Sequence, residues 1–284
     1  MKKGLLSFLM LGSLMTCPYS YGYQWSDIKG DHFIVHYTDN KDFAEDCADK
    51  AEVYYKRIAE GLGYPRYKEF WTWDNRVKIY IYPNQASYLK ATHQPAWSHG
   101  MAEYKSKEIH SFAGSDDFLV SILPHEIAHL IFRDFVGFKG EVPLWLDEGV
   151  AQWAEEEKRQ KVRNYVKRLY EEETLLTLDD MMKLDVRTIT VNSRIYIRST
   201  FTKTGEKAPL ILGADNLVNS YYVQAVSLVD FLIEKFGSTS FAVFCRELRD
   251  GKSLEDALRS AYPAHIQNLD EMERQWRKYL SELP

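Results

Sequence analysis

Residues 122–132 read ILPHEIAHLIF, and within them His125, Glu126 and His129 spell H-E-x-x-H. The apolar neighbours Val120, Ile122, Leu123, Ile127, Leu130 and Ile131 predict a buried helix. A separation of four residues is about one helical turn, so both imidazoles fall on the same face. Two nitrogens so placed can grip one Zn²⁺, and Glu126 beside His125 is positioned to take a proton from a metal-bound water without being a ligand. Pro124 has no N–H to return to the carbonyl of Val120, so the segment must bend there or begin a fresh helix.

The sequence changes character at this helix. Before it, HFIVHY (32–37), VKIYIY (77–82), Gly100–Tyr104 and Glu108–Phe112 read as strands, the last two joined by a polar turn. They are interrupted by a helix over Asp42–Leu62, with Phe43, Cys47, Ala51, Tyr54, Ile58 and Leu62 on one stripe and Gly63 at its end, and by a short helix near Ala86–Ala91. After it, Leu144–Glu157, Arg159–Glu172, Tyr221–Phe236, Phe241–Arg249 and Leu269–Leu280 carry helical periodicity or strong helix formers. Thr200–Asn219, with two glycines and a proline, reads as a long loop. Strands first and helices afterwards predict an α+β fold, with a sheet lobe over about residues 23–135, a helical lobe over about 136–284 and a cleft at their junction. No repeat or low-complexity tract interrupts this order.

Lys2 and Lys3 precede an apolar run in MKKGLLSFLMLGSLMT, the order of a secretory signal, and Ser20 and Gly22 suit cleavage before Tyr23. Residues 1–22 are therefore read as a signal peptide and 23–284 as the mature domain, periplasmic or secreted. Lipid anchoring at Cys17 is the less favoured alternative, because LMTC places Thr16 where a smaller residue is wanted. Retention of the segment as a membrane tether stays open, whereas nothing later in the chain is a spanning segment: His125, Glu126, His129 and Arg133 break the most apolar stretch.

Lys plus Arg number 36 against 41 acids, a net charge of -5, which disfavours attraction to nucleic-acid phosphates. The three cysteines form no C-x-x-C pair, so a metal must be held by His and carboxylates. In an oxidising compartment Cys47 and Cys245 can pair, although each also suits the apolar face of a helix as a free thiol.

A catalytic zinc needs a third protein ligand, and PLWLDEGVAQWAEEE (143–157) supplies Glu148, with eighteen residues between it and His129. Its neighbours Trp145, Leu146 and Val150 argue against an ordinary surface carboxylate, the reading given to Glu155, Glu156 and Glu157. Gln152 can steady a ligand or face solvent, and Asp147 reads as a cap or surface residue. Together the two windows resemble the gluzincin metallopeptidases, specifically the aminopeptidase-N-like branch and its short relatives called peptidase MA-like proteins. In that branch a W-L-x-E-G helix follows H-E-x-x-H at this interval. The resemblance implies a zincin-like fold and one Zn²⁺ per chain, with His125, His129 and Glu148 as ligands, Glu126 as general base and a peptide or protein as substrate.

The stretch YVQAVSLVDFL (222–232) looks like the helix of that branch which opens Y-x-x-G-A and carries a tyrosine that steadies the oxyanion. This selects Tyr222, with Ala225 and Val226 where the branch has glycine and alanine. Tyr221 is the competing candidate, and Tyr222 also fits the apolar stripe of its helix. GMAE (100–103) echoes the amine-binding G-x-M-E-N, on a strand where gluzincins pair with extended substrate, but Tyr104 stands at the asparagine position. Glu103 is read either as an amine ligand or as a polar residue on a half-exposed strand. His93, His99 and His110 have no ligand spacing. The resulting expectation is an exported zinc metallopeptidase. A binding module that has lost turnover, or a zinc hydrolase acting on a cell-wall or other non-protein substrate, are the alternatives.

Overall fold

The computed structural model describes residues 23–64, 70–115, 117–137, 142–189 and 194–284. The signal segment, its cleavage point and Cys17 lie outside them. Two compact units divide at Ile131 and Phe132, inside a single continuous helix. Among the described residues no helix is long and apolar enough to cross a membrane.

The first unit is built on a five-stranded mixed sheet. Its strands are β1 (Ser26–Lys29), β2 (Phe33–Tyr37), β3 (Val77–Tyr82), β4 (Gly100–Glu103) and β5 (Glu108–Phe112), in the order β1-β2-β3-β5-β4. The central β2, β3 and β5 run parallel, and the edge strands β1 and β4 are antiparallel to their neighbours. Alternation sets the faces. Phe33, Val35, Val77, Ile79, Ile81 and Ile109 are buried on one side, where helix α1 (Lys41–Gly61) packs with Ala44, Cys47, Ala51, Tyr55 and Ile58 inward. Asn40 caps α1 by accepting from the N–H of Phe43. On the opposite side Tyr82 and Phe112 meet Tyr88 and Ala91 of helix α2 (Gln85–Thr92), with Tyr23 and Trp25 against them.

Helix α3 (Leu123–Val136) follows a five-residue π-helix at Phe118–Ile122. The N–H of Leu123 bonds back to the carbonyl of Phe118, and Pro124 sits in the first turn of α3, where its missing N–H costs little. The π-helical turn passes into α3 without a break, so the proline is accommodated where one helix form gives way to the other.

The second unit is mostly helical. Its elements are α4 (Leu144–Trp153), α5 (Glu156–Glu171), α6 (Leu178–Met182), α7 (Ala214–Phe236), α8 (Ser238–Arg249), α9 (Leu254–Ala261) and α10 (Leu269–Glu282). Helix α7 is buried along most of its length, and α4, α5, α8 and α10 pack on it. Gly237, at φ +82, turns the chain directly from α7 into α8.

The long loop expected over Thr200–Asn219 is not formed. β6 (Ile195–Phe201) and β7 (Lys207–Gly213) make an antiparallel hairpin, and α7 begins at Ala214. The residue alternation along β6 is a period of two, hidden by the turn residues between the strands. Pro209 fits because its partner Ser199 turns its own N–H and C=O away from β7, toward Asp180 and Thr177. The pair makes no ladder bonds, so a missing N–H interrupts none.

The cysteines are not joined: Cys47 and Cys245 are both free and buried, and burial raises both thiols above the usual range.

Candidate metal centre

The first two turns of helix α3 bury their polar residues as completely as their apolar ones. His125, Glu126 and His129 are 2%, 0% and 2% exposed. One turn of helix brings the Nε2 atoms of His125 and His129 to 3.1 Å, with their rings steeply inclined. Two neutral imidazoles there can share at most one hydrogen, whereas a cation accepts both lone pairs. In tetrahedral zinc with bonds of about 2.0–2.1 Å, two nitrogens lie roughly 3.3 Å apart, close to the spacing found. This donor set therefore suits a zinc ion.

Tyr104, just past the end of the edge strand β4, sets its ring edge-on to His129 with centroids 6.1 Å apart. Glu103 is exposed instead, and its carboxylate accepts from the N–H of Lys105 to close the β4–β5 turn. Among the described residues His93, His99 and His110 join no cluster of metal-ligating side chains.

In the second unit α4 starts at Pro143, whose carbonyl receives the N–H groups of Leu146 and Asp147. Glu148 is 8% exposed, so it is not a surface carboxylate. Of the three acids read as a solvated face, Glu156 and Glu157 are exposed, but Glu155 is buried and paired with Lys158 at 2.6 Å. Gln152 is half-buried.

Helices α4 and α7 touch backbone to backbone. A Cβ on Gly149 would stand 2.7 Å from the carbonyl oxygen of Ala225 and 2.9 Å from Cγ2 of Val229, so only glycine fits. This contact carries α7 past Glu148. Burial first, and then the charge of Glu148, raises the phenols of both Tyr221 and Tyr222 above their usual value. Tyr222 retains 8% exposure and Tyr221 only 1%, with their rings in a T-shaped pair. Sequence reasoning singled out Tyr222, whereas the charge of Glu148 reaches both phenols.

Asp147 is neither a cap nor a surface residue. It is 6% exposed and accepts from the guanidinium of Arg133 at 2.6 Å. Arg133 stands one turn after His129, so the signal lay in the sequence as a cation continuing the histidine stripe and an acid beside Glu148. Asp230 and Glu234 have a structural partner as well: both hold Arg163, and Glu234 also accepts from the hydroxyl of Tyr279 at 2.7 Å.

A family model described as the Peptidase MA superfamily matches residues 72–282, about three quarters of the chain, a span that includes α3, α4 and α7. No curated protein matches the chain significantly.

Proposed function

This chain belongs to the Peptidase MA superfamily, and we propose that it is a zinc-dependent peptidase whose metal is held by His125, His129 and Glu148. The observation that carries the reading is the convergence of two buried imidazole nitrogens at 3.1 Å on a helix that also buries Glu126 completely. When bound, Zn²⁺ supplies a Lewis acid for the scissile carbonyl and lowers the pKa of its water. Glu126 accepts the proton of the attacking water and delivers it to the leaving amine. Burial keeps competing water away from that carboxylate and strengthens its pull on the proton. Tyr222 donates its hydroxyl to the oxygen that gains charge during attack. The raised phenol supports this role, because the group stays protonated and able to donate at every ordinary working pH.

The substrate class in this reading is a polypeptide, and the chain is exported. Lys2 and Lys3 ahead of an apolar run support a leader cleaved before Tyr23. The test is elemental analysis of purified residues 23–284 beside the Glu148→Ala variant, followed by digestion of an unstructured polypeptide. One zinc per chain, lost in the variant, together with cleavage supports the reading. No zinc in metal-supplied protein overturns it. Zinc without cleavage turns the assignment to a binding module, and hydrolysis confined to cell-wall or ester substrates turns it to a different hydrolase.

A further inference from the structure

We propose that the Arg133–Asp147 ion pair is a positioning device for Glu148, the clamp that sets how far the third ligand reaches toward the histidine stripe. The inference rests on the zinc reading above. His125, His129 and Arg133 are spaced by four residues along α3 and so share one stripe. Asp147 and Glu148 are consecutive on α4, and the first of them is fixed to that stripe by a 2.6 Å charge-assisted bond. Asp147 is 6% exposed while the Arg133 side chain is one-third exposed, so the bond is shielded on the Asp147 side and open to solvent on the other. On its other side α4 packs closely on α7 at Gly149 and Ala225. Glu148 sits between these two anchors in the chain, with Asp147 before it and Gly149 after it. Neither member of the ion pair needs to touch the metal for its loss to move a ligand.

Electrostatics alone makes the opposite prediction for one of the variants, and that separates the two explanations. Removing the cation of Arg133 from the neighbourhood of a divalent metal should tighten binding if only charge matters, whereas it should weaken binding if Arg133 positions α4. The experiment measures zinc affinity by competition with a chromophoric chelator, and the visible absorption of the Co²⁺-loaded protein, for the wild type, Arg133→Met, Arg133→Lys, Asp147→Asn and Glu148→Ala. Arg133→Met is expected to weaken zinc binding about tenfold and to shift the Co²⁺ bands, with Arg133→Lys restoring affinity to within a few-fold. Asp147→Asn preserves the side-chain shape, folds even where Arg133→Met does not, and is expected to weaken zinc binding in the same direction. Unchanged or tighter zinc binding in Arg133→Met with an unaltered Co²⁺ spectrum, or wild-type affinity in Asp147→Asn, overturns the clamp while leaving the zinc reading intact. A wild type that binds no zinc, or a Glu148→Ala variant that binds it normally, overturns the zinc reading and the clamp with it.

Discussion

The histidine helix α3 and the α4–α7 pair are organised by different physics. On α3 the geometry is local: helical pitch alone brings His125 to His129. On α4 and α7 it is non-local. Glu148 and the tyrosine pair lie 73 residues apart or more in sequence, and what joins them is a glycine that lets two helix backbones meet at Ala225. A locally built site tolerates repacking elsewhere, whereas a site built by helix contact inherits every change at that contact.

The largest effect should come from breaking the local half. His129→Ala is expected to abolish both zinc binding and turnover, while Glu126→Gln keeps the metal and lowers kcat by about 10²–10⁴-fold, as read by elemental analysis and peptide digestion. A glutamine variant that loses its zinc with the fold intact would contradict the division between ligand and base. Next in size is Tyr222→Phe, for which a fall in kcat of about 10²-fold with little change in KM is expected, against a few-fold for Tyr221→Phe. The reverse ranking would move the donor to Tyr221.

Gly149→Ala tests the helix contact itself. The added methyl meets a backbone carbonyl that cannot yield, so a loss of about 1–3 kcal/mol in denaturant unfolding is expected, together with weaker zinc binding. Reduced stability without reduced affinity would show that the second unit holds Glu148 by other means.

The smallest effect belongs to a pair remote from the centre. Burial opposes the charge of Glu52, but two hydrogen bonds from His32 outweigh it and hold the carboxyl below its usual value. A carboxyl lowered on folding contributes stability above its unfolded pKa of about 4.3 and loses it as pH falls through the folded value. Acid titration of Glu52→Gln should therefore show a shallower loss of stability than the wild type below about pH 4, by under ~1 kcal/mol for so partly exposed a pair.

How much of this the sequence disclosed follows the same local and non-local line. H-E-x-x-H, strands β2 to β5 and the helix over Lys41–Gly61 depend on spacing within one segment and were legible there, whereas β1 (Ser26–Lys29), a largely exposed edge strand with no apolar alternation, was not. The role of Asp147 had only an indirect signal, a cation one turn beyond His129 and an acid beside Glu148, and that pattern does not say whether the acid faces water or Arg133 until α3 and α4 are placed. Glu155 was misread for a similar reason. The β6–β7 hairpin escaped notice because Gly205 and Pro209 resemble loop residues in a linear reading, while the alternation they punctuate is that of paired strands. Glu103 carried a suggestive motif, but the turn to Lys105 claims its carboxylate and Tyr104 is the residue beside His129.

That hairpin also bears on how the protein behaves at high concentration. Ile197 and Ile211 face each other across it and, with Ile195, are about two-thirds exposed, an apolar face of the kind that invites self-association. Lasting association by strand addition requires an unbroken run of backbone donors, and on the side of β7 away from β6 that run is broken at Pro209. A neighbouring chain that touches Ile211 finds the outer edge of β7 broken at Pro209, so the same proline that escaped a reading as strand works against strand addition on that side.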